Sequence, residues 1–137
     1  MTVTIDASVF VNAFSPKEAG SDKSFEFIAR LKEQNIPMIL PVLILPEIAA
    51  ALSRRQGNPE AALLLVQEIK SIPGITFVDV DETVANLAVD IAANNRLRGS
   101  DAIYAAVALR FGTELITLDR EQLERLPDVL PVRGPSK

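Results

Sequence analysis

Asp6, Glu47, Asp101 and Asp119 lie far apart in this chain of 137 residues, yet each falls where an α/β fold would turn it toward one end of a sheet. Asp6 closes the strand-like stretch Thr2-Val3-Thr4-Ile5, and Asp119 follows Leu115-Ile116-Thr117-Leu118, so both acids are expected at the carboxyl ends of strands. Open α/β sheets bind their ligands at that edge. Glu47 and Asp101 each open an expected helix whose next residues, Ile48 to Leu52 and Ala102 to Val107, are mostly apolar. Taken singly, Glu47 and Asp101 are explained by the preference for acids in first helical turns, and Asp119 by a turn. Asp6 is harder to explain that way, because Asp is depleted in strands. Gathered at one edge, the four would repel one another unless a divalent cation lay among them. Held by carboxylates, Mg²⁺ or Mn²⁺ can activate water and neutralise charge developing on a phosphodiester. The chain has no histidine and no cysteine, which removes the usual general base, the usual zinc ligands and the Ser-His type of nucleophile. Hydrolysis by this sequence must use carboxylates, for which a hard, oxygen-loving metal is the fitting partner.

The elements that would position these acids alternate along the chain. A short helical turn is expected over Val9 to Phe14, and a longer helix from Asp22 to Gln34 with Phe25, Phe27, Ile28 and Leu31 at helical spacing. Met38-Ile39-Leu40 reads as a buried strand between Pro37 and Pro41, and Pro46 fits only the first turn of the next helix. Gly57 ends that helix, and Asn58-Pro59 caps another reaching Ser71. Ile75 to Val80 reads as a third strand, after which Asp81 caps a helix to Asn95 and Ser100 caps one to Phe111. Glu114 to Leu118 supplies a fourth strand, and Val129 to Val132 a fifth. Such alternation implies parallel strands joined by right-handed helical crossovers. The expected fold is a three-layer α/β/α sandwich with a mostly parallel four- or five-stranded sheet. It is read as a single domain over residues 1–133, followed by a loose tail at 134–137.

Composition narrows the function classes further. The chain is 48% hydrophobic and 23% charged, which is ordinary for a globular domain. Its net charge of −4 argues against gripping nucleic acid through bulk electrostatics. Lys17, Lys23, Arg54, Arg55, Arg96 and Arg98 are the candidates for local basic patches, with solvated surface charge as the plainer account. The longest apolar run, Ile36 to Leu45, is too short to span a bilayer and contains two prolines, and the N-terminus has no pattern of a signal peptide. A cytoplasmic protein is expected, in keeping with the absence of cysteine.

Four segments carry a family resemblance. Ile5-Asp6-Ala7-Ser8-Val9-Phe10-Val11, the stretch from Pro41 through Glu47 to Leu52, Arg98-Gly99-Ser100-Asp101-Ala102-Ile103-Tyr104-Ala105-Ala106-Val107-Ala108, and Leu115-Ile116-Thr117-Leu118-Asp119 resemble the PIN domain, in particular its VapC-type toxin ribonucleases. The resemblance covers nearly the whole chain in order and spacing. It implies that Asp6, Glu47, Asp101 and Asp119 are the catalytic acids holding Mg²⁺ or Mn²⁺, with Ser8 and Thr117 as polar groups supporting them. It implies endonucleolytic cleavage of structured RNA such as transfer or ribosomal RNA, a homodimer, and neutralisation by a small VapB-like antitoxin. Two departures are visible. Relatives place another acid and then an aromatic after Asp119, where this chain has Arg120-Glu121-Gln122-Leu123, and Pro46 precedes Glu47 where a helix former is expected.

Other classes fit less well. A receiver domain wants paired acids after its first strand, and a haloacid-dehalogenase-type phosphatase wants Asp-x-Asp there, but the third position here is Ser8. A flap-type DNA nuclease would need further helices. The alternative that stays open is a non-catalytic PIN-like module that binds RNA or protein.

Overall fold

The computed structural model describes residues 1–136, and Lys137, the end of the expected tail, lies outside them. Five short strands, β1 (Val3–Ile5), β2 (Met38–Pro41), β3 (Ile75–Val78), β4 (Glu114–Ile116) and β5 (Val132–Arg133), form one sheet. Every pairing is parallel and the strand order is β3-β2-β1-β4-β5. Among the described residues seven helices flank it: α1 (Ala7–Ala13), α2 (Ser21–Glu33), α3 (Ile44–Gln56), α4 (Pro59–Lys70), α5 (Glu82–Asn95), α6 (Gly99–Phe111) and α7 (Arg120–Arg125). The layered α/β expectation is met, with all five strands parallel.

All three residues of β1 are inaccessible to solvent, as are Met38, Leu40, Leu115 and Ile116 on the neighbouring strands. Burial on both faces is characteristic of parallel sheets covered by helices. Helix α6 lies against β1, β2 and β4 and packs on α5, while α1 packs with α2 and α3, and α3 with α4. The small residues Ala102, Ala105, Ala106 and Ala108, all fully buried, let α6 approach closely. Tyr104 and Phe10 are the largest of the fully buried side chains. Among the described residues no helix is long and apolar enough to cross a membrane.

Element boundaries differ from the sequence expectation in instructive places. The helix after β1 begins at Ala7 with Asp6 at its N-cap, two residues earlier than expected. The N-cap of α6 is Arg98 rather than Ser100, and its side chain makes no cap hydrogen bond. Strand β4 stops at Ile116, and β5 comprises Val132–Arg133 instead of Val129 to Val132. Helix α7 was not anticipated. Its six residues, Arg-Glu-Gln-Leu-Glu-Arg, hold one apolar side chain, too few for a periodic signal. Asp81 and Asn58 cap α5 and α4 as their positions suggest, accepting from the backbone N–H of Val84 and Ala61.

Candidate active site

The strand order reverses between β1 and β4, because the chain leaves β1 toward β2 on one side and returns to β4 on the other. Such a switch point opens a crevice beyond the carboxyl ends of the two strands. Asp6 immediately follows β1, and Asp119 stands three residues beyond β4, at the N-cap of α7. Helices α3 and α6 bring Glu47 and Asp101 to the same place. All four acids line one open cleft of about 270 Å³, together with Ser8, Ser100, Arg54, Arg55 and Arg98.

Asp6 is the most enclosed of the four. Its Oδ2 accepts a hydrogen bond from the Ser8 hydroxyl at 2.6 Å and another from Thr117 Oγ1 at 3.0 Å. Each hydroxyl in turn accepts from the backbone beyond β4, Ser8 from Leu118 N at 3.1 Å and Thr117 from Asp119 N at 3.0 Å. The two hydroxyls therefore tie the end of β1 to the loop that carries Asp119. Burial nevertheless pushes the Asp6 carboxyl up to about 6, against the two hydrogen bonds, and the neighbouring Asp101 and Glu47 push it the same way. Burial also raises Asp101, as does Asp119 nearby, while Arg98 opposes the rise.

Tyr104, Arg98 and Gln122 hold the remaining carboxylates, and of these the sequence singled out only Arg98, as a candidate for a basic patch. The Tyr104 hydroxyl, one turn along α6 from Asp101, donates to Glu47 Oε1 on α3. Burial first, then Asp6 and the bond to Glu47, keep that hydroxyl protonated well beyond its ordinary range. Arg98 forks across two acids, Nε to Asp101 Oδ2 and Nη2 to Asp119 Oδ2, each at 3.1 Å. On α7, Gln122 gives its backbone N–H to Asp119 Oδ1 at 3.0 Å and its buried amide Nε2 to the Asp101 carbonyl at 3.3 Å. The unanticipated helix thus seats Asp119 beside Asp101. Periodicity could not have found Tyr104, because a tyrosine on an apolar helix face reads as core.

The donor set suits a hard divalent cation. It is all oxygen, its most buried member carries a raised pKa, and like charges surround it. Among the described residues no three acids stand close enough together to enclose an ion, and Arg98 bonds Asp101 and Asp119 while Tyr104 bonds Glu47.

The PIN domain family model matches residues 3–129. No curated protein matches the chain in sequence. Among solved structures, VapBC2 from Rickettsia felis bound to a DNA fragment from its promoter shares 14% identity at a TM-score of 0.74, over 98% of each chain. DNA-bound VapBC from Salmonella typhimurium shares 18% at 0.71, also over 98% of each. VapC20 of Mycobacterium tuberculosis, a Sarcin-Ricin loop cleaving toxin, shares 18% at 0.71, over 94% of this chain and 99% of that one. At these identities the likeness is one of fold.

Proposed function

The chain belongs to the PIN domain family, and from that premise we propose that it is a Mg²⁺- or Mn²⁺-dependent endoribonuclease, the toxin of a VapBC-type toxin–antitoxin pair. The observation that carries the proposal is the convergence of Asp6, Glu47, Asp101 and Asp119 on one cleft at the switch point of the sheet. When bound by these acids, the metal supplies an activated water and neutralises charge on a scissile phosphodiester. The protein's own groups do the rest. Ser8 and Thr117 fix the Asp6 carboxylate, Tyr104 fixes Glu47, and Gln122 fixes Asp119. Arg54, exposed on the rim of the cleft, is suited to hold a flanking phosphate of the RNA.

Structured RNA, of the transfer or ribosomal kind, is the proposed substrate, as the family resemblance implies, and the likeness to a Sarcin-Ricin loop cleaving toxin supports it. A VapB-like antitoxin, a homodimer and a cytoplasmic setting complete the proposal, as does the division into a domain of residues 1–133 and a short tail. The similarity to VapBC assemblies supports the antitoxin.

The test is incubation of total cellular RNA with purified protein in Mn²⁺, in Mg²⁺ and in EDTA. Discrete fragments are expected with either metal and none in EDTA, with at least about a hundredfold loss of rate for Asp101→Asn. Silence from folded, metal-loaded protein would instead favour a non-catalytic PIN-like module that binds RNA or protein.

A further inference from the structure

Among the described residues, Arg98 is the cation bonded to the acids of the cleft. Arg55, which lines the same cleft, is paired with Glu18 instead. The Arg98 guanidinium donates to Asp101 Oδ2 and Asp119 Oδ2, one from an element start and one from across 21 residues of chain. Those oxygens belong to two of the four carboxylates that line the cleft. A divalent ion ligated by the same oxygens would sit within about 5 Å of the guanidinium, and the repulsion between two cations at that distance makes them compete for the carboxylates. The side chain is 71% exposed, so withdrawing it into water sacrifices little buried contact. Its backbone, by contrast, is fixed, because Arg98 is the N-cap of α6 and its carbonyl accepts from Ala102 N at 3.0 Å. Only the side chain has to move.

We propose that Arg98 is a resident counter-cation of the acidic cleft, which an incoming divalent metal must displace from Asp101 and Asp119 before their oxygens can ligate it. In the metal-free protein Arg98 offsets the repulsion among the carboxylates. On metal loading it is released toward solvent at the mouth of the cleft. The inference rests on the reading of the cleft as a divalent-cation site. It adds that this chain sets its own metal affinity by internal competition.

Calorimetric titration with Mn²⁺ alone tests it, on the wild type, Arg98→Gln and Arg54→Gln. Arg54 lines the cleft without bonding to its acids, so its removal controls for the loss of one positive charge. Arg98→Gln is expected to bind Mn²⁺ roughly five- to tenfold more tightly, the scale of two exposed ion pairs no longer competing, and Arg54→Gln less than about twofold. Unchanged or weaker binding by Arg98→Gln, with measurable binding by the wild type, would overturn the displacement while leaving the metal site standing. An equal gain in both variants would overturn it too, as a general charge effect. If neither the wild type nor Arg98→Gln binds Mn²⁺, the metal site itself fails and the inference with it.

Discussion

Asp6 is a carboxylate buried against two hydroxyls and two other acids, and its ionisation in the metal-free protein opposes folding. Its folded pKa of about 6 lies above the value of 3.8 in the unfolded chain. The stability associated with the neutral form is therefore complete below about pH 4 and lost as pH rises through 6. Asp6→Asn is expected to stabilise the protein in EDTA by about 1–3 kcal/mol at pH 8, and by about half as much at pH 5. Urea denaturation at the two pH values measures this, and an equal gain at both would sink the explanation. Tyr104 makes the opposite contribution to the site. Tyr104→Phe keeps the ring in the core but leaves Glu47 without its buried donor. Mn²⁺ affinity should fall about tenfold, in line with the loss of a group that orients a ligand, while stability drops by only about 1 kcal/mol. An affinity equal to that of the wild type would show that Tyr104 merely packs.

The helices that carry Glu47 and Asp101 owe their positions to their ends and their neighbours. Helix α6 presents Asp101 from its first turn, and α5 holds α6 in place along its length. Asp81 joins the two, capping α5 through Val84 N and pairing with Arg110 of α6 at 3.2 Å. The hydrogen bond from Val84, more than the arginine, holds the Asp81 carboxyl below its ordinary value. Stability linked to that depression is present above about pH 4 and disappears as pH falls through the folded value. Thermal melts of Asp81→Ala should accordingly run below the wild type at pH 7, with the gap narrowing as pH falls below about 4. A gap that does not narrow at low pH would mean the side chain acts by something other than its charge. Helix α7 shows how little sequence an element needs when tertiary contacts support it. Asp119 caps it, Leu126 follows it as a fully buried anchor, and its own Gln122 is buried. Written as a string, Arg120 to Arg125 is only a charged turn.

The whole molecule is a parallel sheet whose two halves meet at β1 and β4, and the site exists because those strands are neighbours. Leu115, fully buried in β4, belongs to that seam. Leu115→Ala is expected to cost about 3 kcal/mol in global stability by chemical denaturation. The Mn²⁺ affinity of the fraction that remains folded should be unchanged, because the residue touches the sheet and not the cleft. A large loss of affinity in fully folded protein would mean that the seam tunes the site directly. Much of this architecture was legible in the sequence, because periodicity, caps, prolines and glycines act over a few residues. Asp81 and Asn58 announced two helices, Pro41 closed β2, and Asp6 stood out as an acid at a strand end. The order of the strands was not legible, since the adjacency of β1 and β4 joins segments 111 residues apart at Ile5 and Ile116. Nor were the bonds from Tyr104 to Glu47 and from Arg98 to Asp119, which span 57 and 21 residues. By itself the sequence determined which residue types could do chemistry and which elements would carry them. The tertiary structure decided which acids share a cleft and what holds each one, because side chains on separate elements meet only once packing has fixed the distances between them.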